Sequence, residues 1–377
     1  MKTIQMVDLT TQYQRIRDEI DRAVLDTIRS GRYINGEAVG KLAAGLAAYT
    51  GSRHVIPCAN GTDALRIALQ TLELQPGDEV IVPAFNYIAA AEAAAVLRLI
   101  PVAVDVDPRT FNIDVNRIEE AISPKTKAVV PVHLFGQTAD MESLMRIARR
   151  HNLFVIEDNA QSIGSIYTFS DGTQKQAGTI GDIGILSFFP TKNLGCYGDG
   201  GALMTNDNAL AEKLRMMTIH GQSQKYIHSI VGCNSRLDTL QAAVLQVKLA
   251  YLDNYIQSRR KLARLYDSGL KLQDDRFKTP YCIPESNHVY NQYTLIVKKN
   301  RDGLLQYLKE KDIPATVYYP LPLHFQPAFK DKVRIAGDLS VSENLCRSAL
   351  SLPMHTEVDE EQAQYIINQL ILYEQYK

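Results

Sequence analysis

The sequence predicts an α/β protein: a large domain built on a mostly parallel sheet, then a small α/β domain at the C-terminus. Two observations carry this expectation. From about residue 55 to 206, short apolar runs bounded by turn or charged residues alternate with amphipathic segments of helical spacing. At 377 residues the chain is also too long for one ordinary core, so a second domain is expected.

Taken in order, the segment around 11–29 reads as a helix packed near the domain junction. EVIVP, PVAVDVD, AVVPVHLFG, LFVIED, IGILSFF and GALMTN then read as buried strands, and MESLMRIARRHN between two of them reads as an amphipathic helix. Repeated strand, helix, strand means a parallel sheet covered on both faces. In such sheets ligands sit beyond the carboxyl ends of the strands. The polar signals fall at those ends: Tyr87 after EVIVP, His133 in PVHLFG, Asp158 closing LFVIED and Lys192 after LSFF. Leu237 to about Leu270 reads as one long helix, or two with a bend, leaving the large domain. QYTLIVKK, RDGLLQYLKEKD and ATVYY follow as strand, helix and strand, with a last helix near 359–374. The domains are accordingly placed at 1–250 and 251–377.

Forty-one basic residues against 42 acidic ones leave a formal charge of −1, so no broad basic field marks a nucleic-acid or anionic-membrane partner. The charged N-terminus lacks the apolar stretch of a signal peptide. YIAAAEAAAVLRLIPVAVDV, the most apolar run, is interrupted by Glu92, Arg98 and Pro101 and does not read as a membrane span. Five scattered cysteines with no CxxC pair, and histidines without metal-pair spacing, point to a reduced cytoplasmic setting without a metal site.

Three stretches carry chemistry. ANGTDALRIALQTL places Asn60-Gly61-Thr62 just before a helix, whose first N–H groups and positive dipole end suit a phosphate at Gly61, Thr62 and Asp63. The same pattern occurs at ordinary N-caps. VIEDNAQSIG ends an apolar strand in two acids. Alternation puts Asp158 on one face with Ile156 and Glu157 on the other, so only one carboxylate enters the site, and Asp158 is chosen. A carboxylate facing a pyridine nitrogen keeps it protonated and makes the ring an electron sink. SFFPTKNLGCYGDGG supplies Lys192, an amine kept from water and so lowered in pKa, competent to attack an aldehyde. Ser187, five residues earlier, offers a hydroxyl to the same phosphate. Each motif alone has an ordinary structural explanation; their order on one sheet points to pyridoxal 5'-phosphate. The rival glycine patterns fail: Gly195 to Gly201 lacks GxGxxG spacing and precedes a strand, and Gly36 to Leu42 is a residue short of a Walker loop.

NGTDAL, EDNAQSIG, SFFPTKNLGCYGDGGALMTND, HGQSQKYIHSIVGCNSRLDTLQAAVLQVKL, YNQYTLIV and SLPMH resemble the DegT/DnrJ/EryC1/StrS family of nucleotide-sugar aminotransferases, from about Gln5 to the last helix. The resemblance implies fold type I of the pyridoxal-phosphate enzymes: a seven-stranded large domain, a small C-terminal domain and a homodimer with shared active sites. It implies that Lys192 condenses with the cofactor aldehyde, that Asp158 binds the ring nitrogen, and that Gly61, Thr62, Asp63 and Ser187 hold the phosphate. Tyr87 would stack on the ring, Gln161 would meet its hydroxyl side, and Asn234 would reach the phosphate from the partner subunit.

The motifs resemble most the UDP-2-acetamido-2-deoxy-3-oxo-glucuronate aminotransferases. This implies that Arg236 of NSRLD meets a sugar carboxylate, as suits a guanidinium fork, and that Tyr33 and Tyr319 touch the sugar. Three positions depart from that subgroup: Tyr318 stands where it has a histidine, His324 where it has an asparagine, and His133 is an addition. A 3- or 4-keto-6-deoxy sugar nucleotide therefore stays open. Implied are a nucleotide-linked ketosugar as amino acceptor and glutamate, leaving as 2-oxoglutarate, as donor. The lysine at 192 argues against the dehydratase or isomerase members, which carry a histidine there. A catalytically silent regulatory member and a nicotinamide-dependent oxidoreductase are the other classes to weigh.

Overall fold

The computed structural model describes residues 3–273 and 275–373; the expected end of the last helix and of the C-terminal domain, 374–377, lies outside them. Helices α1 (Leu9–Arg15), α2 (Arg17–Ser30) and α3 (Glu37–Thr50) lead into strand β1 (His54–Cys58) and helix α4 (Gly61–Thr71). Then come β2 (Glu79–Pro83), α5 (Ala89–Val96), β3 (Ile100–Val104), β4 (Thr126–Val129), α6 (Met141–His151), β5 (Phe154–Asp158), β6 (Ile183–Ser187), β7 (Gly201–Thr205) and α7 (Asn208–Thr218). Helices α8 (Thr239–Leu249) and α9 (Leu252–Leu270) are the two-with-a-bend alternative of the sequence reading, broken at Ala250-Tyr251. The rest is β8 (Phe277–Lys278), β9 (Tyr293–Val297), α10 (Arg301–Glu310), β10 (Arg334–Ile335), α11 (Ser340–Ser348), β11 (Ala349–Leu352) and α12 (Glu360–Leu372).

The main sheet has the order β1-β7-β6-β5-β4-β2-β3-β10. Every pairing is parallel except those of β7, which runs against both neighbours. The seven strands expected are present, and a two-residue eighth, β10, is added at the edge by the C-terminal part of the chain. Strand alternation sorts side chains to two cores. Val80, Val82 and Ile156 pack with α4 and α5 on one face, while Ile81, Val129 and Val155 pack with α6 on the other.

A second sheet, β8-β9-β11, is antiparallel and sits on a second core that includes Leu262, Tyr293, Leu350 and Ile366, joined by Ile4 from the far end of the chain. Here the sequence reading needs a correction. ATVYY is no strand: only Thr316 pairs, with Ser351. Pro314 and Pro320 bracket the segment, and it leaves the sheet carrying Tyr318 and Tyr319 toward the main cavity. The third strand is Ala349–Leu352. Strand β4 also stops short of the AVVPVHLFG run, because Pro131 has no N–H for the ladder; beyond it one parallel bridge joins Val132 to Asp158.

Candidate active site

A cavity of about 470 Å³ lies at the carboxyl ends of β2, β5 and β6 and the start of α4. Gly61, Thr62, Tyr87, Asp158, Gln161, Ser187 and Lys192, widely spaced in the sequence, all line it. So do Tyr318 and Tyr319.

The helix start comes first. Asn60 caps α4, its side chain accepting from Asp63 N at 2.8 Å. Among the described residues the N–H groups of Gly61 and Thr62 have no acceptor, so two donors and the dipole end face the cavity. A side chain at 61 would put Cβ 2.8 Å from Ser187 Cβ, and one at 201 would put it 2.5 Å from the Asn60 carbonyl carbon. Glycine at both positions lets β6, β7 and the helix start converge. Asp63 is placed differently from the other three expected phosphate residues: it does not line the cavity, and its carboxylate pairs with Arg66 at 3.0 Å.

Asp158 ends β5 with only 6% of its surface exposed, and its Oδ1 accepts from Ala160 N at 3.0 Å. Burial pushes its carboxyl up, against the pull of that hydrogen bond and of the Lys192 ammonium. Lys192 follows β6 in the turn closed by Lys192 N donating to Phe189 O at 2.9 Å. Burial holds its ammonium below the usual lysine range, opposed by Asp158. Among the described residues Lys192 forms no ion pair, so an amine and a carboxyl flank one cavity without closing on each other.

Tyr87 is 58% exposed at the cavity mouth. Tyr319 is half-buried, its hydroxyl accepting from Gln161 Nε2 at 3.2 Å, while Gln161 Oε1 accepts from Phe135 N at 2.8 Å. The remaining expected contacts lie outside this cavity. Tyr33 is 48% exposed and donates to Ile28 O. Arg236 Nε donates to Asn234 Oδ1 at 2.7 Å on the surface. His324 is turned inward, with Nε2 3.2 Å from Glu343 Oε1.

Sequence reasoning passed over Asn86, Phe189, Asp199, Asn291 and Gln292, which also line the cavity. Asn86 precedes Tyr87 and was visible as a second polar residue at the end of β2; its buried Oδ1 has no partner among the described residues. Asn291 and Gln292 lie in YNQY, from the second sheet, and no local pattern places them here.

The residues fit a phosphorylated pyridine aldehyde: a helix start and Ser187 for a phosphate, a buried carboxyl for a ring nitrogen, a half-buried amine for an aldehyde, and an acceptor left open at Asn86. Comparison with known proteins agrees. Residues 14–371 match the model of the DegT/DnrJ/EryC1/StrS aminotransferase family. A "pleiotropic regulatory protein" of Geobacillus stearothermophilus is 48% identical over 97% of both chains. A UDP-2-acetamido-2-deoxy-3-oxo-D-glucuronate aminotransferase of Pseudomonas aeruginosa is 44% identical over 94% of this chain and 96% of its own. The crystal structure of NtdA from Bacillus subtilis with bound cofactor PMP superposes with a TM-score of 0.86 at 34% identity, covering 94% of this chain and 81% of that one.

Proposed function

Because this chain belongs to the DegT/DnrJ/EryC1/StrS aminotransferase family, we propose that it moves an amino group from glutamate to a nucleotide-linked ketosugar, a UDP-3-keto-N-acetylhexosamine uronate, for surface-polysaccharide synthesis. The chain is a pyridoxal-phosphate-dependent aminotransferase, and its relatives act on sugar nucleotides. The observation that carries the reading is the placement of the half-buried Lys192 and the buried Asp158 on one cavity beside a helix start.

When bound, the cofactor supplies an aldehyde to capture amines and a ring that draws electrons from the neighbouring carbon. The Gly61 and Thr62 N–H groups and the Thr62 and Ser187 hydroxyls would hold the phosphate. Asp158 would accept a hydrogen bond from the ring nitrogen, and the positive charge of the protonated ring would offset the cost of keeping this carboxylate ionised in its buried setting. Tyr87, on the cavity wall, would cover one ring face, contributing on the order of 1 kcal/mol beyond its buried area. With the cofactor in place, Lys192 Nζ, biased toward the neutral form, would act as the base that takes the proton from the amino donor's carbon and as the acid that gives a proton to the sugar carbon. Gln161 and Tyr319 shape the side between ring and sugar.

The cavity of one chain has Lys192 as its one cationic lining residue among the described residues, which suits neither a dicarboxylate nor a diphosphate. A homodimer in which Asn234, Arg236 and Tyr33 complete the partner's cavity supplies what is missing. Tyr318 and His324, where the subgroup differs, leave a 3- or 4-keto-6-deoxy sugar nucleotide as the second substrate reading.

The test is a panel of ketosugar nucleotides mixed with the aminated cofactor form, read as spectral return to the aldehyde form. Fastest return with the 3-keto uronate is expected; a panel without any return overturns the function. The regulatory name of the 48% identical relative favours a binding role instead. Purified protein that stays colourless in added pyridoxal phosphate would decide for that role.

A further inference from the structure

Asp158 has a neighbour that the chemistry does not use. Glu157 and His133 are both fully buried, on the face of the main sheet opposite the cavity, and their side chains meet at 2.8 Å between Nε2 and Oε2. The His133 ring accepts from Ala139 N at Nδ1, 3.2 Å, so its proton sits on Nε2 and is donated to Glu157. The carboxylate takes three more donors, all backbone: Ile180 N and Gly181 N, each at 2.6 Å, and Gly178 N at 2.9 Å. Four donors on two oxygens is far more than a strand-end acid needs to be soluble in the fold.

What the pair ties together is the frame of Asp158. His133 N donates to Asp158 O at 3.0 Å, and Asp158 N donates to Pro131 O at 2.9 Å. The His133 carbonyl accepts from Ser162 Oγ at 2.5 Å, and two residues on Phe135 N holds Gln161. Three segments, 131–136, 157–162 and 177–181, are thereby pinned to one another through two side chains. The loop 177–181 is close-packed too: a Cβ at Gly178 would meet Met204 Cε at 2.5 Å. Register is at stake. Residues 157 and 158 are both acids, and a slip of one position would exchange them between cavity and far face.

We propose that His133 and Glu157 form a positioning clamp that fixes which carboxylate enters the cavity and the angle from which Asp158 meets the ring nitrogen. The inference rests on the role given to Asp158 above. Neither residue touches the cavity, so both act through Asp158 and Gln161. Glu157→Gln keeps the shape but sets an amide N–H against a donor; His133→Asn removes the ring that reaches Glu157. An unsatisfied buried partner at either site is worth about tenfold in an equilibrium.

The experiment reconstitutes cofactor-free full-length protein with pyridoxal phosphate. It measures the dissociation constant, the visible circular dichroism of the bound cofactor and the melting temperature. Both variants are expected to bind the cofactor about tenfold more weakly, with an altered visible circular dichroism band. Tyr266→Phe serves as the control. It loses a buried hydrogen bond to Pro353 O, 2.9 Å, in the second core, and lowers the melting temperature while leaving cofactor affinity and spectrum as in the parent. Two folded variants with parental affinity and band shape overturn the clamp. If one variant does not fold, the other decides alone. A parent that takes up no cofactor overturns the reading beneath it.

Discussion

A lysine and an aspartate of opposite charge, both largely removed from water, share one cavity without pairing, and that is the unusual fact at the level of single residues. Each is shifted toward its neutral form by burial, and each is ready for a partner neither supplies to the other. Lys192→Ala is expected to lower transamination by at least about 10²–10⁴-fold and to remove the visible absorption of the bound cofactor; a variant keeping both disproves the lysine's role. A different residue contributes to acid stability. His288, stacked on Tyr290 and accepting from Tyr290 N, is held down to about 3 by burial, with Arg260 adding to the shift. Between there and the ordinary 6.5 only the unfolded chain binds that proton, so stability present above 6.5 drains away as pH falls, by about 1.4 kcal/mol per pH unit. His288→Asn, which keeps an acceptor for Tyr290 N, should flatten the urea-unfolding profile between pH 4 and 6 by that slope. An unchanged slope sinks the assignment. Lys192 and Asp158 could be picked from the sequence because a charged residue closing an apolar run is conspicuous. Asn86 was missed because its neighbour Tyr87 absorbed the signal, and Asn291 because only tertiary folding brings it there.

Among elements, the strands of the main sheet were legible because each is buried on both faces and reads as an unbroken apolar run. β1 and β10 are the exceptions: HVIPC is only half-buried at His54 and Pro57, and Arg334–Ile335 is a two-residue edge strand, so no unbroken apolar run marks either. ATVYY failed for the opposite reason. Its β-branched and aromatic content fits a strand, but the flanking prolines and the pull of the cavity on two tyrosines outweigh propensity. The start of α4 is where element and chemistry coincide. Gly61→Ala would force Cβ to 2.8 Å from Ser187 Cβ, moving the helix start off the end of β6. Cofactor affinity should fall by about tenfold, equivalent to ~1.4 kcal/mol. Titration with pyridoxal phosphate checks this, and parental affinity would show that the helix start does not hold the phosphate.

At the level of the whole molecule, the α/β fold class followed from the alternation of strand and helix patterns. The dimer did not: the residues assigned to the partner's site, Tyr33, Asn234 and Arg236, are surface side chains in one chain, and only the resemblance gave them a task. The proposed sharing is tested by mixing inactive Asn234→Ala and Lys192→Ala subunits. Hybrid dimers carry one site with both defects and one with neither, so about half of parental activity per hybrid, and about a quarter for an equal, randomly exchanged mixture, is expected. Mixtures that exchange subunits yet stay silent rule the sharing out.

The two cores are not beads on a string. Ile4 from the beginning of the chain is buried in the second core, and Arg334–Ile335 from near its end lengthens the first sheet. Arg334 reaches Glu79 of β2 from there, at 2.9 Å. Each half therefore keeps a hostage from the other. Swinging them apart would have to tear a sheet edge and empty a core position, whereas Tyr87 on the cavity wall lies open to water without any such movement.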